Sequence, residues 1–461
     1  MEGYKDFSTF GDGIVENKES SAENEKITRL KTLVSYLPST EIVFDYLNEI
    51  KIILGQKPMN YASITMDPLL VDICLDLLSE KKNSLCRLGY SILLMLTKES
   101  PEICNYTMTK KNMVEHFIEA NRYQHLALSL LAKIIKANKT IIVDVIQYDV
   151  ISAVLSILDN SFSDSFFDSA IEMIINIFET DESFPTESSI NLNYYCDRCI
   201  DLCSYLFAIS DLSLREHSQI RTVRVLILEK LFLKGLAKQE LFEWLIIRKI
   251  MDDFGKIDYF HLYINMFIAL ADNYPYFFAS LIEESPFLSI LSRISLMSRT
   301  NWPIILPLII KTSLVSPESS QLVYEYGLFD CFAGDTYQIS LPPLENNLEY
   351  FPPISRHIFE NSSNDNKILI LHLFCALIIM IPHIMINHKY YSSLCNQCIE
   401  LLQYSNDTFN SIFLDSIISI FEHGYIFDGD QYALIETISD LFLVNDKYAI
   451  KAQFVLDKIM E

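Results

Sequence analysis

A unit close to forty residues long recurs along this chain and constrains its fold more than any other feature. LLMLTKESPE (93–102), LAKIIKANKT (131–140) and IINIFETDES (174–183) each close an apolar run in a polar break. Their starts lie 38 and 43 residues apart. A short amphipathic stretch and a second apolar run follow the first two breaks, as ICNYTMTKKNMVEHFI and IIVDVIQYDVISAVLSIL. The layout returns in ALADNYPYFFASLIEESPFLSIL and TSLVSPESSQLVYEYGLFDCF, whose Pro275 and Pro317 are 42 positions apart. Pro101 fills the same slot in the first copy. A helical unit of this length cannot bury its apolar face alone, but stacked neighbours can, so the period predicts an array.

The 461 residues include only 11 Gly and 15 Pro, and half are apolar. That composition favours long helices joined by short connections. Apolar residues recur at helical spacing through 25–333 and 367–460, and no alternating run is long enough for a sheet. Local punctuation agrees with this. In MDPLLVDICLDLL, Asp67 predicts a cap and Pro68 the first helical position. Ser316 and Pro317 predict a cap and first turn rather than a phosphorylation site, with Gly327 as the left-handed residue ending that helix.

Four segments follow. Residues 1–24 are polar and acidic and read as a disordered tail. Residues 25–333 read as helical repeats, 334–366 as an insertion carrying Pro342, Pro343, Pro352 and Pro353, and 367–461 as further helical repeats. The uncharged run ILILHLFCALIIMIPHIMI (368–386) is nearly long enough to span a bilayer. His372, Pro382, His383 and the lack of a basic flank favour a helix buried inside the array instead.

Charge narrows the partners. With 36 basic and 60 acidic residues the formal net charge is -24. Such a chain repels nucleic acid and anionic lipid and attracts basic segments. The expected partner is a protein or peptide with basic segments, with no nucleic acid and no membrane. The N-terminal residues show no apolar secretory core, and the ten cysteines sit inside apolar helical patterns. They read as core residues of a reducing compartment, which places the chain in the cytoplasm with the nucleus as a further location.

Chemistry-bearing motifs are scarce. There is no Gly-rich phosphate loop, Gly-x-Ser-x-Gly elbow or His-Glu-x-x-His pair. Cys196, Cys199 and Cys203 share one helical face but have no evident fourth ligand, so core packing is the expectation. Cys395 and Cys398 have the same weakness, and His383 and His388 read as helix-end histidines. Asp428-Gly429-Asp430 reads as a turn with Asp430 near a helix start. No enzyme activity, cofactor or metal is expected. One basic feature stands out: Arg221, Arg224, Lys230, Lys234 and Lys238 are spaced as a stripe along a helix. It is expected to be a solvated face, or a docking patch for an acidic partner or for the chain's own acidic tail.

The ending Ala170-Ile171-Glu172-Met173-Ile174-Ile175-Asn176-Ile177 resembles the third helix of an armadillo repeat, and IQYDVISAVLSILDNSFSDSFFDSAIEMIINIF looks like a complete degenerate unit. Asp149 stands where that family prefers glycine, and Gly327 keeps the glycine. HEAT units share the period. The resemblance implies an all-α, right-handed armadillo-like solenoid. It also implies a concave groove in which an asparagine slot clamps an extended peptide. The matching positions are Met95, Lys133, Asn176 and Lys311, and the neighbouring tryptophan slot holds Ser91, Ser129 and Glu172. A non-enzymatic scaffold or adaptor follows. The alternative is a divergent importin-like transport factor recognising basic segments, although Trp244 and Trp302 lack the asparagine four residues on.

Overall fold

The computed structural model describes residues 12–37, 43–56, 68–78, 83–99, 101–108, 113–120, 125–160, 164–180, 183, 191–212, 218–237, 250–251, 254, 260–284, 286–297, 299–333, 362–402, 407–444 and 446–460. They are helical, with no strand among them. The chain divides into two compact units, Met1–Lys230 and Leu231–Glu461.

The first unit contains α1 (Asp12–Tyr36), α2 (Val43–Leu54), α3 (Pro68–Leu78), α4 (Asn83–Glu99), α5 (Pro101–Met108) and α6 (Met113–Ala120). It continues with α7 (His125–Ala137), α8 (Ile142–Gln147), α9 (Val150–Asn160), α10 (Asp164–Phe178), α11 (Leu192–Leu212) and most of α12 (Ser218–Leu233). Helices α2, α4, α7 and α10 pack in series, each against the next. Leu47 and Ile50 of α2, Ile92 and Leu93 of α4, Leu128, Leu131 and Ile135 of α7, and Met173 and Ile177 of α10 are buried. The shorter helices between them cover their other sides, so each repeat completes its core with its neighbours.

The second unit contains α13 (Phe260–Asn273), α14 (Pro275–Glu284), α15 (Phe287–Met297), α16 (Trp302–Ser313), α17 (Pro317–Glu325) and α18 (Leu328–Ala333). After residue 361 come α19 (Asn364–Met380), α20 (Pro382–Met385), α21 (Tyr391–Leu402), α22 (Asp407–Glu422), α23 (Gln431–Val444) and α24 (Ala449–Met460). Here α13, α16, α19, α22 and α24 form the serial stack. Aromatic rings fill the first part of its core: Phe267 lies 4.9 Å from Phe254 and 5.0 Å from Phe287. Trp302 meets Phe332 edge-on at 4.9 Å, and its indole N–H donates to the Ser295 carbonyl at 3.0 Å.

The punctuation is local chemistry. Pro68, Pro101, Pro275, Pro317 and Pro382 each stand first in a helix, where the missing N–H is not needed. Ser316 caps α17, its hydroxyl accepting the Ser319 N–H at 3.0 Å. Removing such a cap costs about 1 kcal/mol. Ser316→Ala should therefore lower the stability of the second unit by about that amount, read as a shift in its urea midpoint.

Left-handed backbone occurs at Asp149 (φ 54) and Gly327 (φ 68), each between a short helix and the next one. Both N–H groups donate three residues back, to Ile146 and Tyr324 carbonyls at 3.0 and 2.9 Å. The glycine-preferring slot therefore has one geometry in both copies. Asp149 fills it because short polar side chains tolerate this region, and its carboxylate accepts the Tyr194 hydroxyl at 3.0 Å.

Two boundaries move. Helix α1 begins at Asp12, inside the stretch expected to be a disordered tail. ENKESSAENEK contains no proline and is rich in helix formers, so propensity carries the helix back. Residues 1–11 and 334–361 lie outside the described residues. Helix α19 starts at Asn364, capped by the Ser363 hydroxyl, rather than after residue 366. The apolar run 368–386 is split between α19 and α20 by a break at Ile381. Residues Leu371, Leu373, Phe374 and Leu377 are fully buried within it. Among the described residues no helix is long and apolar enough to cross a membrane.

Candidate functional site

The faces of the stacked helices carry polar side chains that reach from one repeat to the next. In the first unit the Lys133 ammonium on α7 meets the Glu172 carboxylate on α10 at 3.1 Å, across 39 positions of sequence. Ser129 and Ser169 share a hydrogen bond across 40 positions, and Asn176 donates its side-chain N–H to the Ala132 carbonyl at 3.1 Å across 44. Met95 sits half-buried on α4, the preceding helix of the stack.

The expected groove residues Met95, Lys133, Glu172 and Asn176 thus lie on three successive stacked helices. Lys311 belongs to the second unit. Asn176 does not stand open for a peptide. It is buried, and its amide ties α10 to α7. In this copy the asparagine slot holds repeats together.

The second unit repeats the device. Lys311 on α16 donates to Asp272 on α13, again across 39 positions. His372 on α19 is half-buried, and its pKa is lowered first by burial and then by the Lys311 charge. The Phe409 ring of α22 meets it edge-on at 6.4 Å. Further along, Lys451 of α24 donates to Ser411 at 3.0 Å and Asp415 at 2.7 Å, and Lys447 lies 3.4 Å from Asp407. Ser419 donates to the Ile379 carbonyl at 3.2 Å, across 40 positions. Exposed ion pairs of this kind contribute only about 0–1 kcal/mol each. Their effect is to hold side chains in register on an accessible face. Sequence reasoning gave no site role to Asp272, His372, Asp415 or Lys451. The near-forty spacing from a lysine to an acidic residue was the signal available for the aspartates.

The basic stripe is corrected. Arg221, Arg224 and Lys230 on α12 are only 5%, 3% and 9% exposed, so they form neither a solvated face nor a docking patch. Buried Ile220, Val223, Val225, Ile227 and Leu228 surround them on almost every side of the helix. Their long aliphatic stems fit that setting. Lys234 is exposed and Lys238 lies outside the described residues.

The remaining candidates are structural. All ten cysteines are free thiols and buried. Burial pushes the thiols of Cys74, Cys203 and Cys331 up to about 12, so none is poised as a thiolate near neutral pH. His383 is exposed and His388 buried, so they do not face a common site. His388 meets Asp330 at 3.1 Å through Nε2, while Nδ1 accepts the Tyr390 N–H. Around Asp428 and Asp430 the carboxylates serve the loop: Ser392 donates to Asp428, and Asp430 accepts the Ala433 N–H at the start of α23. Among the described residues no three His, Cys, Asp or Glu side chains cluster as metal ligands.

Among the described residues the arrangement is all-helical, and within each of the two units successive repeats stack through equivalent helices. No family model matches it, and no curated protein matches it. Among solved structures it is similar to the crystal structure of an engineered protein, with 11% identity, a TM-score of 0.64, and coverage of 94% of this chain and 99% of that one. A structure from work on a phosphorylation switch controlling the interaction between cadherin and beta-catenin has 7% identity and a TM-score of 0.48, covering 93% and 91%. The first likeness is one of fold. The second is too slight to add to it.

Proposed function

We propose that this chain is a non-enzymatic scaffold of the armadillo-like, right-handed solenoid type, which binds a partner protein or extended peptide on the faces of its stacked helices. The supporting observation is the recurrence of accessible polar side chains there, fixed across neighbouring repeats at spacings of 39 and 40 positions. A face that repeats with the units suits a partner that is itself extended, because each repeat meets a successive stretch of it. Acidic excess makes the preferred partner a Lys- or Arg-rich segment and speeds its association. Such binding should weaken steeply with salt. Its setting is the cytoplasm, with the nucleus as a further location.

Lysine-directed crosslinking of the full chain to its captured partner tests this. Crosslinks are expected from Lys133, Lys311 and Lys451, which lie on α7, α16 and α24. Crosslinks restricted to Lys31 on α1 and Lys139 in the turn after α7, outside the stacked helices, would refute the assignment.

A further inference from the structure

One helix of the second stack differs from the others in its backbone. α16, WPIILPLIIKTS, contains Pro307 at its sixth position, beyond the first turn where a missing N–H costs nothing. Pro307 has no proton to give, so the Pro303 carbonyl loses its partner four residues on. Pro303 is exposed and Pro307 half-buried, which puts this carbonyl on the accessible side of the helix. Ile304 beside it is 43% exposed although it is a large apolar residue. Pro303, Pro307 and Lys311 follow one another at i, i+4 and i+8, so all lie on one face.

The chemistry of this spot selects its occupant. A carbonyl oxygen deprived of its helical N–H accepts hydrogen bonds and repels other acceptors. The apolar surface of Ile304 and Pro307 suits an aliphatic stem. The chain's negative charge favours a cation. Lys311 does not oppose one, because Asp272 neutralises it and its backbone lies two helical turns beyond Pro303, about 12 Å along the axis, and one turn beyond Pro307. We propose that α16 carries a subsite for a lysine or arginine of an extended partner segment: its stem lies on Ile304 and Pro307, and its N–H donates to the Pro303 carbonyl. This rests on the scaffold reading above and names the side chain that one repeat reads.

The test uses the full chain and a displayed library of random twelve-residue peptides, with selected peptides then measured singly. Peptides enriched on the wild type should carry Lys or Arg and protect amides of α16 from exchange. Pro307→Ala returns an N–H to the Pro303 carbonyl. It should leave the melting temperature unchanged or raised, yet weaken those peptides about tenfold, the loss expected for one charged hydrogen bond. Ile304→Lys should abolish their binding. Equal affinity for wild type and Pro307→Ala overturns the subsite, as does selection of peptides without a basic residue. Protection confined to α7 and α10 overturns it while leaving the scaffold reading in place. Failure to select any peptide counts against both.

Discussion

Phe267→Ala should destabilise the second unit by about 3–5 kcal/mol, the range for removing a fully buried phenylalanine. The ring is wholly inaccessible and lies within 6.4 Å of three others, those of Phe254, Phe278 and Phe287. Two of these come from the helices that follow, α14 and α15, so the truncation leaves a void at the junction of three helices. Little can collapse into it, because Tyr263, Ile264, Met266 and Leu270 of the same helix are already packed. Both tryptophans, Trp244 and Trp302, fall within the span of this unit. Urea unfolding followed by tryptophan fluorescence therefore reports it directly. A loss below about 1 kcal/mol would mean that the aromatic cluster is not a packed core.

Alkaline pH should unfold the protein well before most surface groups would predict. Burial raises Cys74, Cys203 and Cys331 to about 12 from an ordinary thiol value of 9.0. Tyr195 and Tyr391 are raised as well, again chiefly by burial. A group whose pKa is higher folded than unfolded contributes fully below its unfolded value. Its contribution is lost as pH climbs towards the folded one. The window is therefore pH 9 to 12. Each tenfold change in proton affinity is about 1.4 kcal/mol, so the two thiols of the first unit and the one of the second, with the tyrosines, offset a large part of a typical margin of about 5–15 kcal/mol. Helical circular dichroism should collapse within that window. At pH 8 a thiol reagent should find the native cysteines unreactive and the urea-unfolded ones reactive. Rapid native labelling of several cysteines would contradict the burial.

The features that could be read from sequence were those set by local chemistry. Period, caps and left-handed residues depend on a few neighbouring positions, so Ser316, Pro317, Gly327 and even Asp149 announce themselves. That 368–386 packs largely inside the array was legible because a lone uncharged run broken by Pro382 is a poor membrane span. The stripe on α12 was misread for a physical reason. That helix is buried nearly all round, so its polarity pattern names no outer face, and Arg221 and Arg224 look like surface residues. Asn176 was found in its slot, but its bond to the Ala132 carbonyl depends on how two helices 44 positions apart come together. The Pro303 carbonyl is a case between these. Pro307 is plain in the sequence, yet which side of the helix it opens is a property of the packing.

Amide exchange on the full chain, with and without a selected basic peptide, decides whether the stacked helices are the binding face. Slowed exchange is expected in stacked helices, in α16 (302–313) with α13 or α19 beside it, or in α7 and α10, with loss of that protection in high salt. Protection confined to the covering helices α5, α14 or α21, with the stacked helices unchanged, would contradict it.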